Sequence, residues 1–406
     1  MDLADVALLT SAPGRLLLGT LPDYDPALAL KLSQGLRERG IDPKLVAAAL
    51  TQARLRAKAK PKFGPFTDGL LLTEAGAQQA TRLTVAAHHA ARYRAAGISH
   101  VIDLTCGIGA DALALAGLGL NVTAVELDPV TAAVAGANLA RFPGTKVIQG
   151  DALELDLAHL MAPPDGVQAA FADPSRRTTQ GGRTFDPAAY SPPLDRLLEL
   201  RQRLPLGVKV APGLAHQHIP EDMEAEWTSV DGDVVEAALW SGPLRRTAAP
   251  KAALVIGHGQ THRLAEDGTP RLTTGPLQAY LYEPDGAVIR AGLLQQAAAT
   301  LGRSATPTLI SPRIAYITAA AAAPANPFLT GFAVKDSFGF QLKRLKSYLR
   351  ERRVGRLEIL KRGTAVEPAE LRRRLDLTGP EAATIVLTKL GETQSVLVVE
   401  RLHSQP

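Results

Sequence analysis

Two kinds of residue in this sequence could do chemistry: acids that stop apolar runs, and glycines that follow one of them. The run "VIDLTCGIGAD" places Asp103 four residues ahead of Gly107, with Gly109 two further on, in the pattern DxxxGxG. Glycines at such a turn let the backbone pass close beneath a ligand, and a helix starting at Ala110 offers its free amides and dipole. Gly107, Gly109 and Ala112 also satisfy GxGxx(G/A), so the glycines alone leave a dinucleotide open. Asp103 weighs the other way: a carboxylate at a strand end repels a pyrophosphate and welcomes a cation. A ligand joining an adenosine, an ammonium and a sulfonium meets these terms, and S-adenosylmethionine is that ligand.

Further acids follow in step. The second strand ends in "VELD", which puts Glu126 nineteen residues after Gly107, placed to accept from both ribose hydroxyls, with Asp128 close by. Then "GDA" brings Asp151 for the adenine amine and the backbone amide of Ala152 for a ring nitrogen. The cofactor set on this reading is Asp103, Gly107, Gly109, Asp111, Glu126, Asp128, Asp151 and Ala152. Capping of the helices that follow is the alternative for any single acid.

A fourth apolar run, "GVQAAFA", stops on "DPSRR". With the acids of the first three strand ends on the cofactor, Asp173 faces the acceptor. A carboxylate and the Pro174 carbonyl, at an angle fixed by the proline ring, can take the two hydrogens of an aromatic amine and free its lone pair for attack. Asp173, Pro174 and Ser175 form the expected catalytic stretch. Lys209, ending "GVKV", is expected at the substrate pocket, with a surface position as its alternative.

These residues need strands to carry them. Short apolar runs separated by amphipathic stretches, from "HVIDL" to "GVKVAP", predict βα units around a parallel sheet covered on both faces, a doubly wound Rossmann-like α/β fold. The pieces "EAEWTSV", "DGD" and "VVEAALW" predict a β-hairpin closing one edge of that sheet. Ahead of it, residues 1–60 are expected to be helical, with Asp-Pro starts at "DPALALKLSQGLRERG" and "DPKLVAAALTQARLRAKAK". A linker is expected at "PKFGPFTDG", the S-adenosylmethionine-binding domain over 61–245, and an α/β extension with a linker at "TAAAAAPANPF" over 246–328. A small basic α+β module over 329–406 completes the chain.

The chain has 406 residues, 46% of them hydrophobic, enough for a large core. Its one cysteine, Cys106, excludes a disulfide framework and a cysteine zinc site and is read as a small filler of the turn. His216 with His218, and His258 with His262, lack carboxylates at matching spacing, so no metal is expected. An acidic start and the lack of a membrane-length apolar run point to a cytoplasmic protein. Net charge is +5, yet residues 335–374 hold thirteen Lys or Arg against five Asp or Glu, a local +8 that leaves −3 for the rest. Phe338, Phe340 and Tyr348 are interleaved among those cations, the pattern of a phosphate-backbone surface, with a solvated helix face as the plain alternative.

The succession "DLTCGIGAD", "VELD", "GDA", "ADPSRR" resembles class I S-adenosylmethionine-dependent methyltransferases. From about residue 50 onward, "KFG", "LLTEAGAQQAT", "DPSRR", "YLYEPDGAVIRAG" and "LEILKRGTAVEPAELRRRL" resemble a bacterial group that joins such a domain to a carboxy-terminal THUMP-like domain. The resemblance implies that Thr73 and Gln79 border the cofactor pocket, and, since THUMP-type domains are associated with transfer RNA, that structured RNA is the partner. In amino-methyltransferases of this kind the motif is Asp/Asn-Pro-Pro-aromatic. Here Ser175 stands for the second proline and Arg176 for the aromatic, which puts the methylated atom in question. Arg176 can stack on a base or, with Arg177, grip phosphate; the alternative is an ion pair with the strand-end acids or Asp186. Tyr190 and Phe185 are the candidates for the missing ring. The expected function is methylation of an exocyclic base amine in structured RNA. Its rivals are a methyltransferase of protein or small molecules, a nonenzymatic RNA-binding protein that keeps the fold, and, more remotely, an NAD-dependent oxidoreductase. The sequence is silent on oligomeric state.

Overall fold

The computed structural model describes residues 1–155, 167–176, 182, 184 and 186–402, so Arg177 and Phe185 lie outside the described residues. The chain divides into two compact units, Met1–Met223 with Ala238–Ala248, and Glu224–Ala237 with Ala249–Pro406.

The first unit opens with helices α1 (Leu3–Thr10), α2 (Ala12–Thr20), α3 (Ala29–Glu38) and α4 (Pro43–Phe63). Asp42 caps α4 by accepting from Lys44 N at 2.9 Å, as its Asp-Pro start predicts. The other Asp-Pro does not begin a helix. Asp25 spends its carboxylate on Ala27 N and its carbonyl on Leu28 N, forming a turn that delays α3 to Ala29. Nor does α4 stop where "PKFG" suggests: it carries Pro61 in its last turn, is anchored by buried Phe63, and ends at Gly64 with φ 54°.

Beyond α5 (Glu74–Gln79) and α6 (Leu83–Ala95) come the strands β1 (Ile98–Asp103), β2 (Asn121–Glu126), β3 (Thr145–Gln149), β4 (Val167–Ala172) and β5 (Leu206–Val210). They lie in the order β3-β2-β1-β4-β5, every neighbouring pair parallel. Helices α7 (Ala110–Gly117) and α8 (Pro129–Leu139) follow β1 and β2, and α9 (Leu194–Glu199) precedes β5. The reversal of strand order between β1 and β4 makes a topological switch point, where open sheets of this type bind ligands at the carboxyl ends of their strands. One face is packed by Tyr93, Phe171 and Trp240, with rings 6.0–6.4 Å apart, and Tyr93 Oη donates to Ala170 O at 2.6 Å. Gly207 of β5 is the residue that admits them: a Cβ there would collide with Trp240 and Tyr93.

The expected hairpin forms from β6 (Met223–Val230) and β7 (Asp233–Ser241), joined at Asp231 and Gly232 with φ 51° and 87°, but it does not close an edge, because two further strands continue the sheet beyond β6. In the second unit β6 pairs parallel with β8 (Lys251–Gly257), and β8 antiparallel with β9 (Gln260–Ala265). Arg263 of β9 joins the buried carboxylates of Glu224 and Glu226 at 3.0 and 2.7 Å. The helical stretch expected over "AVIRAGLLQQAAATLG" is two helices, α10 (Gly286–Ala291) and α11 (Leu294–Ala299), because Gly292 turns left-handed at φ 74° and ends the first.

A second sheet takes the order β11-β12-β10-β13-β16-β15-β14. Its strands are β10 (Tyr280–Pro284), β11 (Thr308–Ser311), β12 (Ile314–Ala319), β13 (Leu329–Gly339), β14 (Val354–Lys361), β15 (Glu381–Leu390) and β16 (Thr393–Arg401). β12 and β13 both pair with β10, so "TAAAAAPANPF" connects two strands of one sheet where a linker was expected. Helices α12 (Leu342–Glu351) and α13 (Pro368–Arg374) complete it, and α12 buries Leu345 and Leu349 while Lys343, Arg344 and Arg350 stay exposed.

Candidate functional site

Strand order gathers the four acids. Asp103 ends β1, Glu126 ends β2, Asp151 follows β3 and Asp173 follows β4; these strands are neighbours and parallel, so all four acids sit on one edge of one sheet. The glycine turn is stitched to that edge. Leu104 N donates to Phe171 O at 2.8 Å, Cys106 N to Val125 O at 2.9 Å, and Gly107 N to Glu126 Oε2 at 2.9 Å. Gly107 and Gly109 take φ 54° and 89°, conformations an L side chain rarely adopts.

Asp103 is buried, and only Oδ1 has a partner, Thr105 N at 3.3 Å; Oδ2 has none among the described residues. Burial first, then the nearby Asp111, push its carboxyl well above the ordinary aspartate range. A buried acceptor without a donor, in a crowd of like charges, is relieved by a cation that donates hydrogen bonds. Cys106 is buried as well, and burial, then Asp103 and Glu126, raise its thiol, which makes it no nucleophile. Asp128 is exposed and caps α8 through Thr131 N at 2.8 Å, while Glu126 Oε1 accepts from Asp128 N at 2.9 Å. Asp151 accepts from Leu153 N at 2.9 Å, and Ala152 is buried.

The wall opposite comes from the segment before α6. Thr73 caps α5, accepting from Gly76 N at 2.9 Å, and Gln79 ends α5 exposed. A Cβ on Gly76 would strike Ile108, so that glycine lets α5 lie directly on the glycine turn. Two buried amides hold the arrangement. Asn138 donates to Leu71 O and Ile108 O at 3.0 and 2.9 Å and accepts from Leu71 N at 2.8 Å; Gln52 exchanges two 2.9 Å bonds with Leu72. Sequence reasoning missed both, although an amide interrupting the apolar face of a helix is the signal that could have found them.

On the acceptor side, Asp173 N donates to Thr105 Oγ1 at 2.7 Å, tying the motif to the glycine turn. Pro174 is buried; Ser175 exchanges two 2.9 Å backbone bonds with Ser191. The Arg176 carbonyl accepts from Thr184 N at 2.8 Å, and Asp186 Oδ1 accepts from Ala188 N at 3.0 Å. Tyr190 is packed inside, its hydroxyl accepting from Ala211 N at 3.3 Å. Lys209 is buried, with Nζ 2.6 Å from Asp173 Oδ2 and 2.8 Å from Thr81 Oγ1. Thr81 donates to Asp111, whose other oxygen accepts from His89 Nδ1 at 2.8 Å. Burial alone would raise Asp111, but the bond and charge of His89, then Lys209 and Thr81, hold it below the ordinary aspartate range. Thr81 and His89 had carried no functional reading.

The donors and acceptors on this edge fit S-adenosylmethionine: Asp103 Oδ2 awaits a donor, the Glu126 carboxylate faces the turn, and the local charge is negative. Among the described residues no group of three or more His, Cys, Asp or Glu could hold a metal, and no helix is long and apolar enough to cross a membrane.

Comparisons with known proteins give the family and the fold. Residues 42–163 match the family described as "Putative SAM-dependent methyltransferase", residues 329–401 a "THUMP domain-like" family, and residues 2–59 a domain of unknown function. Proteins of two Mycobacterium tuberculosis strains, each described as an uncharacterized S-adenosylmethionine-dependent methyltransferase, are 33% identical over 345 residues, 83% of this chain and 91% of theirs. The crystal structure titled "putative methyltransferase from Porphyromonas gingivalis W83" shares the fold, with a TM-score of 0.71 over 93% of this chain and 99% of that one at 20% identity.

Proposed function

We propose that a base amine in structured RNA is the acceptor for this chain, which belongs to the S-adenosylmethionine-dependent methyltransferases. The observation that carries the reading is the place of Asp173, at the end of the strand beside β1 and bonded through Thr105 to the glycine turn. Asp103, Glu126, Asp151 and the amide of Ala152 would hold the cofactor, with Asp111, Asp128, Thr73 and Gln79 around them. Bound there, it supplies an electrophilic methyl group on a sulfonium.

The chain's own residues do the rest. Asp173 and the Pro174 carbonyl accept the two hydrogens of the incoming amine, which turns its lone pair out of the ring. Ser175 is held to Ser191 by paired backbone bonds, which fixes the direction in which the motif leaves the strand. The division of labour supports RNA: residues 61–245 transfer the methyl group, 1–60 and 246–328 flank them, and 329–406 bind the nucleic acid with exposed Lys343, Arg344, Arg350, Arg352 and Arg353. The match of residues 329–401 to a THUMP-like family is in keeping with this.

The test is incubation with isotope-labelled S-adenosylmethionine and total RNA from a strain lacking the protein, followed by nucleoside mass analysis. One nucleoside carrying the label on an exocyclic amine is expected; label that enters protein or small molecules but no RNA contradicts the reading. Asp173→Ala should reduce transfer by on the order of 10²-fold or more while the cofactor still binds.

A further inference from the structure

Asp103, Asp111, Glu126 and Asp173 act on one another electrostatically, and the crowding helps to push Asp103 toward its protonated form. Repulsion from like charges works against an ionised carboxylate, and a protonated carboxyl is a poor acceptor for an amine hydrogen. His89 and Lys209 answer these acids from different sides. His89 on α6 donates to Asp111, and Lys209 at the end of β5 meets Asp173 at 2.6 Å. From α4 and the residues before α6, Lys62 and Arg82 add positive charge around Lys209; burial first, then that like charge, lowers Lys62 to about 8. Lys62 itself donates to the carbonyls of Gln78 and Ala80, next to Thr81.

We propose that Lys209 is a positioning residue for methyl transfer: its ammonium, braced by Thr81, keeps the Asp173 carboxylate ionised and fixed in direction amid the row of acids. The cleft then has an anionic end for a cationic donor and a charge-balanced end for a neutral amine. Losing the Lys209 ammonium removes the charge 2.6 Å from Asp173 Oδ2, so the effect is directed at Asp173 and not spread over the fold. Lys209 makes no bond to the reacting atoms. The amine nitrogen forms the N–C bond as the C–S bond breaks, sulfur keeps that electron pair, and the proton shed by nitrogen leaves to water.

This inference rests on Asp173 as the group that orients the acceptor, and two readouts separate its failure from failure of the RNA reading. The first needs no acceptor: carbon-13 NMR of aspartate-labelled protein, with Asp173→Asn assigning the signal. The midpoint at which Asp173 titrates should rise by about one pH unit or more in Lys209→Met and return toward the wild-type value in Lys209→Arg. Thr81→Val should move it the same way by less. The second is methyl transfer to total RNA, expected to fall by on the order of 10²-fold in Lys209→Met, with the acid limb of its pH profile following the NMR midpoint. An unmoved midpoint in folded Lys209→Met overturns the inference, as does a midpoint that Lys209→Arg fails to restore. Should Lys209→Met not fold, Lys209→Arg and Thr81→Val decide by the same midpoints. If wild-type protein methylates no RNA, the acceptor reading falls and the NMR result still decides the role of Lys209.

Discussion

At the scale of single residues, Asp103 is the pivot of the cleft, its buried carboxyl pushed upward chiefly by burial and then by Asp111. In the ligand-free protein a raised acid favours stability below the ordinary aspartate range, and that contribution is lost as pH rises through the raised value. A cationic ligand that binds the ionised form reverses the sign. Calorimetric affinity for S-adenosylmethionine should therefore climb with pH through that range, and Asp103→Asn should flatten the climb and weaken binding by about 1.5–3 kcal/mol. Affinity of Asp103→Asn equal to wild type at every pH would remove Asp103 from the cofactor. The carboxylates were legible because each closes a recognisable apolar run. The brace behind Asp173 was not: Lys209 was expected at the substrate pocket, but Lys209 and Thr81 stand 128 residues apart in sequence, and no local pattern announces their contact.

At the scale of elements, α5 and the glycine turn are held together by amides more than by surface charge. Asn138→Ala would leave Leu71 N–H and the carbonyls of Leu71 and Ile108 without their partner, at a cost of about 1–3 kcal/mol in urea unfolding, with weaker cofactor binding alongside. Arg54→Ala removes an ion pair to Glu74 in which both side chains are nearly half exposed, and the unfolding midpoint should stay put. A large Arg54 effect with a negligible Asn138 effect would invert the argument. The parallel strands and their helices were readable from hydrophobic spacing. Missed were β13, whose "FLTGFAVKDSFG" mixes glycine and charge, and the break of α10 at Gly292, where a left-handed turn outweighed the helical pattern. The Ala/Pro stretch misled because its composition resembles a linker, while β12 and β13 on either side of it are joined through β10.

At the scale of the whole molecule, charge is divided along the chain: +8 over residues 335–374 and −3 elsewhere. Exposed Lys343, Arg350 and Arg353 lie in that stretch, while Arg344 and Arg352 cover Phe338 and Tyr348 at 4.6 and 3.5 Å from the ring centres. Phosphate contacts release counterions, so binding of total RNA should weaken steeply with salt, and changing Lys343, Arg350 and Arg353 to Glu should lower the log–log slope by about 2–3. A salt-independent affinity would assign those cations to the solvated face alone. The claim beneath all three scales is that one sheet edge presents carboxylates around a cationic donor, the last of them turned to the acceptor. A crystal structure of the protein with S-adenosylmethionine tests it most directly: Asp103 Oδ2, Glu126 and Asp151 are expected within hydrogen-bond reach of the ligand and Asp173 beside its methyl group, whereas a ligand seated away from these carboxylates, or an Asp173 facing the opposite side, would contradict it.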